Sequence, residues 1–151
     1  MKFFLIYIPF FLLILGTKSF SQNIFEEVFE GCNTNRFVME KDSLTIKVKE
    51  DNDILHLLAN GFDKKVVKEI RGVLACQIIV DLEGNSCLLS IENQSNIKTE
   101  MLNIKNIIDD NLKWYKPREK TSVIFAVKFY GNEVELKRIG LNSKGFHDLT
   151  E

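Results

Sequence analysis

The chain has 151 residues, 45% of them hydrophobic and 27% charged, with 8 Gly and 2 Pro. This composition excludes a disordered chain, a collagen-like chain and a large multidomain enzyme; it fits one small domain whose 12 Phe supply much of the apolar area. A formal charge of −1 leaves no basic field to neutralise phosphates, so nucleic acid is not an expected partner.

Residues 1–21 read as a secretory signal peptide. Lys2 supplies a positive start, residues 3–16 are an apolar run, and Ser19-Phe20-Ser21 offers small residues for cleavage before Gln22. The run is shorter than the ~20 apolar residues that span a bilayer, and Pro9 interrupts it. The expectation is export to the periplasm of a Gram-negative bacterium; the competing reading is an uncleaved anchor. Without Lys2 and Lys18 the rest carries 18 basic and 21 acidic side chains, a charge of −3 that argues against strong binding to anionic lipid.

Residues 22–72 read as an N-terminal arm and short helices. In 23–36, Ile24, Phe25, Val28 and Phe29 precede Gly31-Cys32, which fits a short helix or an extended arm. The aromatics Phe25 and Phe29 either dock on a partner or complete this domain's own core, and the second is favoured. Between 37 and 53 the alternation of Leu44, Ile46 and Val48 with polar residues favours a strand over a solvated helix. Asp53 and Asp63 are helix caps in front of 53–60 and 63–71, with Gly61 and Gly72 as stops.

Residues 73–140 carry the main pattern. Leu74, Cys76, Ile78 and Val80 form one face of a strand. Asp81-Leu82-Glu83-Gly84 has the residue preferences of a type I turn, and Cys87, Leu89 and Ile91 form the apolar face of a second strand. A four-residue loop, 82–85, then pairs Val80 with Cys87, Ile78 with Leu89 and Cys76 with Ile91. That register puts Cys76 and Cys87 on one face, too far apart for a disulfide. Both are then small buried hydrophobes, or Cys32 pairs with one of them and pins the arm to the sheet.

Ile97, Met101, Ile104, Ile108 and Leu112 make one stripe of a helix over 97–113, capped by Ser95 or Asn96. After Pro117, residues 122–130 form a third strand, and Gly131-Asn132 allows 133–139 to return as a fourth. Residues 141–151 read as a frayed tail. The expected fold is α+β: a two-layer ββαβ antiparallel sheet in the order 2-1-3, with a possible extra C-terminal strand and the helix packed on one face.

Catalytic chemistry finds no candidate constellation. His56 lies among apolar neighbours and His147 in the tail, and neither belongs to a nucleophile–base motif. Asp51 and Asp53 do not continue into a calcium loop, Asp109-Asp110 reads as an exposed helix face, and no Gly-rich phosphate loop occurs. No catalytic, cofactor or metal residue is assigned, and no small-molecule substrate is evident. The remaining opportunity is the sheet edge. In the 2-1-3 order the third strand is an edge, so Val123, Ile124, Phe125, Ala126, Val127, Lys128, Phe129 and Tyr130 are the candidate residues for pairing with an extended peptide.

Residues 73–130 resemble the TonB C-terminal domain in its stand-alone periplasmic versions. The resemblance rests on QIIVDLEGNSCLLSI (77–91), the helix 97–113, the corner Tyr115-Lys116-Pro117 and VIFAVKF (123–129). Val28-Phe29-Glu30-Gly31-Cys32 is similar to the Phe-Pro-Gly-Cys segment of some members, and 55–72 to the short helices before their first strand. Glu30 stands where Pro is usual, Trp114 is shifted one place upstream, and Glu119-Lys120 replaces a Gly-Lys pair. No Pro-rich spacer of an energy transducer is visible. The resemblance implies a non-catalytic periplasmic protein-binding module, whose partner is an extended segment of an outer-membrane receptor or another envelope protein. The alternative is an accessory envelope protein in which 133–139 closes the edge.

Overall fold

The structure, a computed structural model, describes residues 22–149 other than Asn52 and Asn132; the expected signal peptide lies outside the described residues. Among the described residues, seven strands and four helices form a mixed α+β fold, with helices packed against a mainly antiparallel sheet. The strands are β1 (Glu27–Val28), β2 (Val38–Met39), β3 (Gly72–Val80), β4 (Ser86–Ser95), β5 (Thr121–Tyr130), β6 (Glu133–Asn142) and β7 (Gly145–Asp148). The helices are α1 (Ile54–Gly61), α2 (Lys64–Glu69), α3 (Thr99–Leu102) and α4 (Ile104–Asn111). The sheet runs β1-β4-β3-β5-β6-β7, so the expected 2-1-3 order is its centre. It is not wholly antiparallel, because β2 runs parallel to β5 at Val38–Thr121 and Met39–Ser122.

The β3–β4 hairpin departs from a uniform ladder. Cys76 opposes Ile91 as expected, but Ile78 opposes Leu88 and Val80 opposes Ser86, because Leu89 is an extra residue bulged out opposite Gln77/Ile78. The bulge turns Cys87 onto the face opposite Cys76. There it forms a disulfide with Cys32 across 55 residues, while Cys76 remains a buried thiol. The pairing of Cys87 with Val80 is thus corrected, and so is the reading of both cysteines as buried hydrophobes. The loop is also one residue longer, with Asp81 N donating to Asn85 O at 3.0 Å. Asp81 Oδ1 accepts from the N–H groups of Glu83 and Asn85. Gly84 has φ +85°, and a Cβ there would strike the carbonyl of Trp114.

The expected helix 97–113 breaks at Asn103, which adopts the left-handed φ of 47°. The break advances the phase of the apolar stripe, so Leu102 is buried and Met101 is 63% exposed. α3 starts after Lys98 without a side-chain cap, which corrects the assignment to Ser95 or Asn96. α1 and α2 match the caps: Asp53 accepts from Leu55 N and Asp63 from Lys65 N. Within 37–53, the strand expected at 44–48 is reduced to a bridge between Val48 and Trp114, with β2 upstream of it.

The core lies between the helices and the sheet face bearing Leu74, Cys76, Ile78, Leu88, Ile91, Phe125 and Val127. Trp114 is fully buried at one end of it. Its Nε1 donates to Ser86 Oγ at 2.7 Å, and Ser86 Oγ donates to Leu112 O at 2.7 Å. The Arg138 guanidinium stacks 4.9 Å from the Trp114 ring centroid and pairs with the buried Glu40 carboxylate. Glu40 also accepts from Thr45 N at 2.8 Å, so one buried acid ties the loop 40–46 to β6.

The opposite sheet face is covered by the arm, which is extended. Gln77 is fully buried there: its Oε1 accepts from Ile24 N and Ser90 Oγ, both at 2.8 Å, and its Nε2 donates to Gln22 O and Ser122 Oγ, both at 3.1 Å. Phe29 packs against the core, so this aromatic completes the domain itself.

Candidate functional site

An antiparallel sheet offers an extended partner only strand edges whose N–H and C=O groups are unpaired. β5 is not such an edge. Thr121–Phe129 pairs with β3, and Ile124–Tyr130 pairs on the other side with β6. Val123, Ile124, Phe125 and Val127 are buried, and Ala126, Lys128, Phe129 and Tyr130 have β6 partners. The eight residues expected at the edge are therefore interior to the sheet. The cause is the return of the chain after Tyr130, which brings Glu133 opposite Tyr130 and continues the ladder to Ile139 opposite Ile124. Of the tail expected to fray, 141–142 end β6 and 145–148 form β7, while 150–151 lie outside the described residues.

The outer edge of β4 is occupied over Leu88–Ile91, whereas Glu92–Ser95 has no strand on its outer side among the described residues. Glu27 and Val28 pair with Ile91 and Ser90, and Phe29 N donates to Leu89 O at 2.8 Å. At the bulge, α4 supplies side chains in place of a strand: Asp109 Oδ1 accepts from Leu88 N at 2.6 Å, and Lys105 Nζ donates to Leu88 O at 3.4 Å. Asp109 is thus a half-buried cap of the sheet edge, not the exposed acid expected.

The opposite end differs. β7 pairs only with Ile139–Asn142 of β6, and Leu149 N closes Arg138 O at 2.9 Å. Among the described residues, Glu133–Lys137 has no strand on its outer side. Side chains alternate along this edge. Val134 and Leu136 oppose Phe129 and Val127 on the helix face; Glu133, Glu135 and Lys137 lie on the other. Beside the edge lies an apolar groove of about 290 Å³, floored by Phe129 and Val134 and walled by Leu55, Ala59, Phe62 and Val67 of the α1–α2 segment. Val67 and Val134 are 40% and 46% exposed, so the groove is open to solvent.

The polar face of the edge is electrostatically organised. The hydrogen bond from Tyr130 OH to the Glu135 carboxylate raises the phenol pKa and holds the carboxyl below its ordinary range. The hydrogen bond from Lys137 Nζ to Asp148, at 2.7 Å, raises the ammonium pKa. Lys128 sits over the Tyr130 ring, 4.9 Å from its centroid. The open edge therefore presents the side chains of Glu133, Glu135 and Lys137 in alternation with Val134 and Leu136.

His56 also borders the groove, and its ring contacts Asn60 Nδ2 at 3.1–3.2 Å with no carboxylate bonded to it. His147 lies in β7, near Gly145 O. Among the described residues no three His, Cys, Asp or Glu are grouped to hold a metal, and no helix is long and apolar enough to cross a membrane. The groove was not anticipated from sequence. Its signal was the second apolar residue of the pair Val66-Val67 and the alternation of Val134 and Leu136, which no single period assigns to an exposed site. Comparison with protein-family models, with curated proteins and with solved structures finds no match.

Proposed function

We propose that this protein is a non-catalytic, exported binding module that captures an extended segment of an envelope protein by strand addition, and that the receiving edge is Glu133–Lys137 of β6. The observation that carries the reading is the coincidence of an unpaired five-residue edge with an apolar groove on its helix side. Backbone hydrogen bonds to the edge supply affinity, and every second side chain of the added strand enters the groove and supplies specificity. The carboxylates of Glu133 and Glu135 favour cationic residues at the alternate positions. The disulfide, together with the apolar leader, supports an oxidising, extracytoplasmic setting. The resemblance of 73–130 to the TonB C-terminal domain agrees with this class of function.

The test is a titration of the isotopically labelled protein with a synthetic peptide alternating Val or Leu with Lys. Strand addition predicts amide shifts confined to 133–137 and the groove residues, and their loss in Val134→Glu. Shifts elsewhere, or none, contradict it. The full pairing of β5 favours a second reading, an accessory domain whose edges are all closed in use; the absence of any peptide response would support that reading.

A further inference from the structure

At the far end of the sheet from the groove, a second concave surface has the opposite character. One cavity of about 570 Å³ is lined by Lys47, Tyr115, Lys116, Arg118 and Thr121, and a neighbouring one of about 470 Å³ by Arg36, Phe37 and Lys120. The two share Val38 and Glu119 in their linings and so adjoin, together making the trough. Its walls are fixed by backbone contacts. Tyr115 N donates to Lys47 O at 3.0 Å, Val38 N donates to Lys120 O at 2.9 Å, and Pro117 keeps the 115–119 segment from continuing as a helix or inner strand.

Five cations border the trough, against one acid, Glu119, in a chain whose total charge is negative. The ion pairs among the described residues lie elsewhere, at Lys105–Asp109, Lys137–Glu135, Lys137–Asp148 and Arg138–Glu40. Lys120 is engaged by the carbonyls of Asn33 and Asn35, but Arg36, Lys47, Lys116 and Arg118 have no carboxylate partner there. Concentrating like charges without counter-charges is unfavourable for the free domain, and an anionic ligand relieves it.

We propose that this trough binds an acidic peptide segment of a partner protein, at a site separate from the β6 edge. The spread of its five cations over two adjoining cavities favours an extended chain with several carboxylates over a single compact anion. Its concavity favours a chain laid between walls over a planar lipid surface. The half-exposed Tyr115 ring and Pro117 offer apolar contact to the intervening residues.

The test is fluorescence anisotropy of a labelled dodecapeptide alternating Glu and Ser, with the Gln-for-Glu peptide as control and phosphatidylglycerol vesicles as a separate arm. The expected result is saturable, salt-sensitive binding of the Glu peptide, none of the Gln peptide, and a loss of about tenfold or more in K116E/R118E. The milder K116Q/R118Q should lose less. Val134→Glu should not change this binding, which separates the trough from the β6 groove. Failure of the Glu peptide to bind overturns the proposal, as does binding that K116E/R118E leaves unchanged. Vesicle binding without peptide binding overturns it in favour of a membrane surface.

Discussion

Asp81 shows how one side chain fixes a turn and couples it to pH. Its carboxylate accepts from the backbone N–H groups of Glu83 and Asn85 and from Asn85 Nδ2. Partial burial pushes its pKa up, but the Asn85 side chain and the backbone donors outweigh burial and leave it below the ordinary value. A depressed folded-state pKa means stability that is present above the unfolded value, about 3.9, and lost as pH falls through the folded one. Denaturant melts between pH 6 and acid conditions should therefore lose stability below about pH 4, and Asp81→Ala should remove part of that slope while costing about 1–2 kcal/mol at neutral pH. An unchanged acid slope in the variant would place the titration elsewhere.

At the scale of elements, Asn103 separates α3 from α4 in a conformation that Asn tolerates and β-branched residues do not. Asn103→Gly should be close to neutral, and Asn103→Val should cost about 1–2 kcal/mol, both read by thermal unfolding. This break explains the partial legibility of the sequence. The stripe Ile104, Ile108 and Leu112 follows helical spacing and is buried, but continuing it upstream selects the exposed Met101 and misses the buried Leu102. A left-handed residue leaves no mark in hydrophobic periodicity. The β4 bulge is invisible for the same reason: Leu89 is apolar, so alternation through Cys87, Leu89 and Ile91 reads as an unbroken strand. Ser86 lies on the helix face in the observed register, where its hydroxyl accepts from Trp114 Nε1 and donates to Leu112 O. The central β3, β4 and β5, the caps Asp53 and Asp63, and the return of 133–139 were readable, since each rests on local pattern or turn chemistry. The unpaired edge at Glu133–Lys137 was not, because it depends on how far β7 extends along β6.

For the whole molecule, the Cys32–Cys87 disulfide joins the arm to the bulged strand and closes a loop of 55 residues in sequence separation. Loop-closure entropy gives such a link about 4 kcal/mol, and measured values are commonly 2–4. Reduction, or Cys32→Ser with Cys87→Ser, should lower stability by about that amount. It should also loosen the arm more than the helices, which limited proteolysis of 22–36 detects. Equal protection of the arm before and after reduction would mean that the Gln77 network alone holds it.

The distribution of edges across the sheet leads to one decisive measurement, residue-resolved amide hydrogen exchange of the disulfide-intact protein with and without the Val/Leu–Lys alternating peptide. Strand addition at β6 predicts slow exchange throughout 123–130 in the free protein and fast exchange of the outward amides within 133–137. Peptide should then protect those β6 amides and leave the protection of 123–130 as it was. Fast exchange across 123–130 in the free protein, or peptide protection appearing there instead of on β6, would contradict an enclosed β5 and a receiving edge at Glu133–Lys137.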